Sequence, residues 1–234
     1  MQKTCNMRIK PYDREILRNL AHKIVFIANR PEMEKRRMRW VRHNNMETSG
    51  ILINMDPQGS WCELIPEKNL ECLDQNMRNI ENSLRRRIYA AEHFVSDNVV
   101  EKEWVVNKTF STTGWGVAPL LKHSDSSRGA YAFEPVIKEY NDLKKLRYPE
   151  IVYDEKSTAE QIAFFQDLFG DILDIRVKGV ADFSYHLMKQ YTTLRGLEET
   201  LIDFSDNPHM VHDAMAFFEE GHHRILKQYI DLNF

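Results

Sequence analysis

The stretch Lys178-Gly-Val-Ala-Asp-Phe-Ser-Tyr185, running through Leu194-Arg-Gly-Leu-Glu-Glu199 to Asn207-Pro-His-Met-Val-His212-Asp213, decides the fold. A short β-branched run, Ile172-Leu-Asp-Ile-Arg-Val177, precedes it, and a long amphipathic segment follows. That order predicts a strand, a loop and two helices joined at Asp206-Asn207-Pro208. A loop in this position is where strand–loop–helix proteins place their chemistry. On the C-terminal side, Val211, Met215, Phe218, His222, Ile225 and Tyr229 stripe one helix, with Asn207 as its cap and Pro208 in its first turn.

Working toward the N-terminus, the same logic recovers further elements. Ser157-Thr-Ala-Glu160 reads as a capping box, with Ile162, Phe165 and Phe169 at helical spacing behind it and Gly170 as the stop. Tyr140 to Arg147 reads as one or two helical turns. Ala130 to Val136 reads as a third strand, kept short or at an edge by Pro135. Lys122 to Gly129 reads as a loop. Val99-Val100 with Trp104-Val105-Val106 reads as a second strand region, and Leu73, Met77, Ile80, Leu84, Ile88 and Ala91 mark a long helix. Gly50-Ile-Leu-Ile-Asn-Met55 reads as the first strand, apolar and continuous like a buried parallel one. Two helices come before it. The first has Asp13 as a capping candidate and Ile16, Leu17, Leu20, Ile24 and Ile27 in phase; the second runs from Pro31 to about His43.

Helices alternating with strands imply an α/β fold with parallel strands and right-handed crossovers. Too few strands are visible for a closed eight-stranded barrel. The expected architecture is therefore a partial TIM (β/α)8 barrel, with residues 1–48 as an N-terminal helical cap and 49–234 as one barrel unit.

Composition narrows the function. The chain has 234 residues, 42% of them hydrophobic, a net charge of −3 and a pI near 6.3. That balance gives no reason to expect nucleic acid as partner. The basic runs Glu34-Lys-Arg-Arg-Met-Arg39 and Leu84-Arg-Arg-Arg87 read as salt-bridged helix faces, with Glu81 one turn before Arg85. Cys5, Cys62 and Cys72 are widely spaced and fit a reducing compartment. No run approaches the ~20 apolar residues of a membrane span, and the first residues lack an apolar signal core. A cytoplasmic location is the expectation.

Leu194-Arg-Gly-Leu-Glu-Glu199, Ile202-Asp-Phe-Ser-Asp-Asn-Pro208 and Val211-His212 together resemble the uroporphyrinogen decarboxylase-like superfamily (URO-D). Glu34-Lys-Arg-Arg-Met-Arg-Trp40, Asp56-Pro-Gln-Gly-Ser-Trp61, Arg85-Arg-Arg-Ile-Tyr89, Thr113-Gly-Trp-Gly116 and Gly170-Asp-Ile172 are similar to its branch grouped with corrinoid-dependent methyltransferases. The resemblance implies the N-terminal half of a barrel with its pocket at the C-terminal strand ends. It implies methyl group transfer linked to a corrinoid (cobalamin), or alternatively a porphyrinogen carboxy-lyase. Zinc would come only with ligands from the other half. The implied partners are a corrinoid protein, a complementary half-barrel chain or a second copy in a homo-oligomer; a non-catalytic split module is the contrasting reading.

The candidate site residues follow. Asp56, at the end of the expected first strand, is placed to bind a pyrrole nitrogen or act as acid/base; a turn aspartate that organises its own loop is the commoner role. Trp61 and Trp115 offer flat faces to a tetrapyrrole, although large aromatics are more often packed. Tyr185 and His186 lie in the loop that the resemblance turns toward the pocket, with Tyr191 an open alternative to Tyr185. Glu134 ends the third strand. His209, His212, His222 and His223 lack metal-ligand spacing, and His222 falls in an apolar stripe, so no metal site is expected. No phosphate-cradling glycine loop and no nucleophile elbow occur.

Overall fold

The computed structural model describes residues 9–48, 50–123, 131–180 and 183–234. In chain order the helices and strands are α1 (Pro11–Ala28), α2 (Pro31–Asn44), α3 (Trp61–Leu64), α4 (Gln75–His93), β1 (Glu103–Asn107), β2 (Phe110–Thr112), β3 (Leu120–His123), β4 (Tyr131–Glu134), β5 (Ile151–Tyr153), α5 (Glu155–Phe169), β6 (Asp174–Lys178), α6 (Leu187–Arg195), α7 (Leu197–Asp206) and α8 (Pro208–Asp231). The chain divides into two compact units, one of Met1–Val106 with Ala159–Val177, the other of Asn107–Thr158 with Lys178–Phe234.

In the first unit α1 lies against α4. Leu17, Ala21, Ile24 and Ile27 recur every three to four residues and are buried, as are Met77, Leu84 and Ile88 of α4, with Phe165, Leu168 and Phe169 in the same core. Arg14 and Arg18 close the rim on Asp167 and Asp171. Pro11 opens α1, so Asp13 does not cap it. The Asp13 carboxylate is fully buried and accepts the amides of Leu73 and Asp74, fixing the approach to α4, whose own cap is Asp74. The basic run of α2 is tied down as expected: Arg37 pairs with Glu34 and Glu101, and Arg39 with Asp97.

In the second unit α6, α7 and α8 enclose Ile137, Leu146, Tyr191, Leu194, Val211, Ala214 and Phe218. The helix α5 begins two residues before the expected capping box. Asp154 caps it, accepting the Ser157 amide and hydroxyl. Asn207 stands before Pro208 as expected, but its side chain donates to Asp203 instead of capping α8.

The fold is α/β with a parallel pair. β1 and β6 run in the same direction, with Asp174 N–H donating to Lys102 O and Lys108 N–H to Lys178 O. The half-barrel is not formed. Among the described residues the strands lie in three separate two-stranded sheets, and β2–β5 and β3–β4 are antiparallel. A barrel needs each strand hydrogen-bonded on both sides in one continuous sheet, and these strands, three to five residues long, are paired on one side only. The expected first strand, Gly50–Met55, joins no ladder. The expected third strand is present as β4, paired to β3. The expected loop at Lys122–Gly129 lies mostly outside the described residues. Among those residues no helix is long and apolar enough to cross a membrane.

Candidate functional site

In the first unit, a cavity of about 470 Å³ is lined by Asp56, Trp61, Ser83, Arg86, Arg87 and Trp104, among others. The helix α4 turns Met77, Ile80, Leu84 and Ile88 into the core. Ser83, Arg86, Arg87 and Ala90, at i, i+3, i+4 and i+7, therefore fall on the neighbouring face that lines the cavity. The opposite wall comes from the turn after Asp56. Gln58 takes a positive φ of 44° there, and the Asp56 carboxylate holds the turn, with one oxygen accepting from the Gln58 amide at 3.3 Å and the Trp61 indole N–H at 2.8 Å. Asp56 is thus both turn organiser and cavity wall, with its second oxygen free of protein partners among the described residues.

The three successive arginines of α4 have three different environments. Arg85 is spent on Glu81 and Glu71. Arg86 is exposed and lies over the Trp61 ring, 5.5 Å from its centroid. Arg87 is half-buried and donates to the carbonyls of Glu101 and Glu103, with no carboxylate closing on it among the described residues. Burial pulls its guanidinium pKa below the ordinary arginine value, and the charges of Glu103 and Glu101 offset this only partly. Glu101 itself is bound by Arg37 at 2.7 and 3.0 Å. Trp104 packs on Phe165 and Phe169 at 5.2 and 5.3 Å, with its indole nitrogen buried and without a partner among the described residues. A cavity lined by two arginines, aromatic side chains and three carboxylates (Asp56, Glu103 and Glu101, the last paired with Arg37) can take a flat ligand that carries both acidic groups and an N–H donor.

The second unit holds the other sequence candidates. Trp115 sits between Gly114 and Gly116, both at positive φ, and its ring lies on α8 where a Cβ on Gly221 would come within 2.4 Å of it. Trp115 and Tyr185 each stand 5.3 Å from the His222 ring, and Phe183 stands 6.1 Å from it. Both His222 nitrogens are buried without a partner among the described residues, and burial, with the charge of His186, lowers its pKa. His186 is exposed at the start of α6. Glu134 ends β4, exposed, 3.6 Å from Lys122 in the β3–β4 hairpin. So Asp56 meets Trp61, Trp115 meets Tyr185 through His222, and Glu134 serves its hairpin.

Comparison of the chain with protein-family models, with curated proteins and with solved structures gives no match. Function must be argued from the site.

Among the described residues, no group of three His, Cys, Asp or Glu is arranged to hold a metal ion. Sequence reasoning missed Arg86, Arg87 and Trp104. The signal was phase: Arg87 lies three residues after Leu84 and seven after Ile80, at the border of the apolar stripe, so it could not be fully solvated. His222 was visible in its stripe, but its lack of partners was not.

Proposed function

We propose that the protein binds a carboxylate-bearing tetrapyrrole in the cavity of the first unit, in keeping with its resemblance to the uroporphyrinogen decarboxylase-like superfamily. The observation that carries this reading is Arg87: a half-buried cation whose protein partners are two neutral carbonyls. An acidic side chain of the ligand would compensate that charge, with Arg86 beside it. The ring would lie along Trp61, and the free oxygen of Asp56 would accept a pyrrole N–H. In a carboxy-lyase the same carboxylate would stabilise the pyrrole while it is protonated and the carboxyl group leaves as CO₂.

Methyl group transfer to or from a corrinoid is the second reading, supported by the branch that the motifs resemble. Of the barrel implied by that resemblance, the described residues hold only the parallel pair β1–β6, and its other strands would have to come from a partner chain. The arginine pair favours a ligand with free carboxylates.

Titration with uroporphyrin, followed by the shift of its main absorbance band and by tryptophan quenching, tests this. Saturable, salt-sensitive binding is expected. A charge-assisted hydrogen bond is worth about 1.5–3 kcal/mol, so Arg87→Gln should weaken binding at least about tenfold. Cobalamin bound more tightly than uroporphyrin would favour methyl transfer. Binding of neither sinks both readings.

A further inference from the structure

The residues Gly50–Met55 form no ladder, yet their backbone is ordered on one side only. Ile53 N–H donates to the Asp97 carboxylate at 2.9 Å, and Asp97 N–H donates to Ile53 O at 2.7 Å. Met55 N–H donates to the Asn98 side-chain oxygen at 3.1 Å, and the Asn98 amide donates back to Met55 O at 3.0 Å. Arg39 donates to Ile51 O at 2.9 Å. Alternate residues 51, 53 and 55 are thus bonded to the same side, which is the pattern of an extended strand.

The backbone groups of Leu52 and Asn54, which point the other way, have no partner among the described residues. Ile51, Ile53 and Met55 are 85%, 50% and 40% exposed. The bonded side is braced in turn, because Asp97 is held by Arg39 and by the Trp40 indole N–H. Residues 50–55 carry no charge and no proline, the devices that ordinarily protect an open edge.

We propose that this edge pairs antiparallel with the same edge of a second copy of this chain. Its geometry is self-complementary. With a two-fold axis at Ile53, Leu52 of each copy faces Asn54 of the other, and the two pairs exchange four N–H···O=C bonds. Every group left open at residues 52 and 54 is then used. Ile53 meets Ile53 across the axis, with Ile51 against Met55 on the same face, an all-apolar set. Asp56 comes opposite Gly50, so no like charges face each other. A foreign strand would satisfy the same backbone groups; a second copy adds an uncharged apolar contact of matched length, carried by residues 50–55 themselves. The proposal does not rest on the ligand reading, although Met55 and Asp56 also border the cavity, so the test is made without ligand.

The test is sedimentation-equilibrium ultracentrifugation of the intact chain from about 1 µM to about 1 mM, the range in which so small an interface would associate. A monomer–dimer equilibrium is expected. Ile53→Lys, which places two like charges on the axis, should raise the dissociation constant at least tenfold with unchanged circular dichroism. Asn54→Pro, which removes an N–H that has no partner among the described residues, should do the same. Mixing I53K with I53E should restore dimers that neither forms alone. A monomer at every concentration, a dimer that both substitutions leave intact, or a mixture that stays monomeric overturns the proposal.

Discussion

The buried ion cluster of the second unit and the arginine-lined cavity of the first use the same residue types to opposite ends. In the cluster, Asp203 is fully buried and accepts from two nitrogens of Arg195 at 2.7 and 2.8 Å, from the Tyr191 hydroxyl at 2.7 Å and from Asn207 at 3.0 Å. Arg195 also donates to the carbonyls of Ile137 and Lys138. Nothing is left over for a ligand. In the cavity, Arg86 and Arg87 keep donor capacity and Asp56 keeps an oxygen. The contrast gives a rule for this chain: a charge whose hydrogen bonds all close within the protein is architecture, and one that borders a cavity with bonds to spare is where a ligand is to be sought.

The largest effect should come from opening the closed cluster. Removing one partner of a buried pair leaves an uncompensated charge and costs about 3–5 kcal/mol. Asp203→Ala should lower the urea midpoint accordingly, and Asp203→Asn, which keeps one acceptor oxygen but turns an amide NH2 toward donors of the cluster, should recover only part of that loss. An Asp203→Ala protein as stable as the parent would break the contrast at its closed end.

Glu81 is the first unit's counterpart and should rank second. It is fully buried and accepts the amides of Glu71 and Cys72 as well as Arg85. Backbone amides share its charge, so Glu81→Gln keeps part of the network and should cost about 1–3 kcal/mol. Burial alone would raise the Glu81 pKa, but the amides of Cys72 and Glu71 and the Arg85 guanidinium outweigh it and hold it low. Arg195 first, against burial, and then Tyr191 and Asn207 hold Asp203 low as well. Carboxyls depressed in the folded state stabilise it above their unfolded pKa of about 4, and that contribution is lost as pH falls through the folded values. On the surface, Arg18 holds Asp171 down to about 2. Urea titrations between about pH 7 and pH 2 should therefore show stability falling below about pH 4. A parent and a Glu81→Gln protein with the same acid response would remove Glu81 from that account.

These comparisons also separate what the sequence could show from what it could not. The helices were legible because burial repeats every three to four residues, and α1, α2, α4 and α8 fall close to where periodicity, prolines and caps put them. Sheet assembly was not. The run Gly50–Met55 has a buried strand's composition, but composition does not specify a neighbour, and Asp97 and Asn98 took its backbone groups instead. β4 looked like a parallel strand by its place in the alternation, yet its partner is the adjacent β3, reached through a hairpin. Of the candidate site, Asp56 and Trp61 were legible from a turn. Their joining to Arg86, Arg87 and Trp104 depends on which helix face meets that turn, a tertiary fact. The stretch from Leu194 to Val211 looked like a family marker, and three of its polar residues, Arg195, Asp203 and Asn207, belong to the buried cluster.

The third prediction sharpens the open end. Arg87→Gln should weaken uroporphyrin binding at least about tenfold and Arg86→Gln by about threefold, because an exposed cation is already solvated and gains less from pairing. Neither should shift the urea midpoint as far as Asp203→Ala does. An Arg87 variant that binds normally but is destabilised by several kcal/mol would move this arginine to the closed class.

The smallest effect concerns the bond between Asp56 and Trp61. Trp61→Phe keeps an aromatic face beside Tyr89 and Phe94, which lie 6.1 and 5.8 Å from the native ring, but removes the N–H that Asp56 accepts. Asp56 keeps the Gln58 amide, so the turn should hold at a cost of about 1 kcal/mol. If Asp56 serves mainly to orient the wall, ligand affinity should fall about twofold to threefold for Trp61→Phe and similarly for Asp56→Asn. If its free oxygen accepts a pyrrole N–H, Asp56→Asn, whose one oxygen stays on the Gln58 and Trp61 N–H groups, should lose that bond as Asp56→Leu does, while Trp61→Phe should keep it. Titrating the three variants with one porphyrin distinguishes these roles. Equal losses in all three would make Asp56 a positioning residue, and a larger loss in both Asp56 variants than in Trp61→Phe would place it on the ligand.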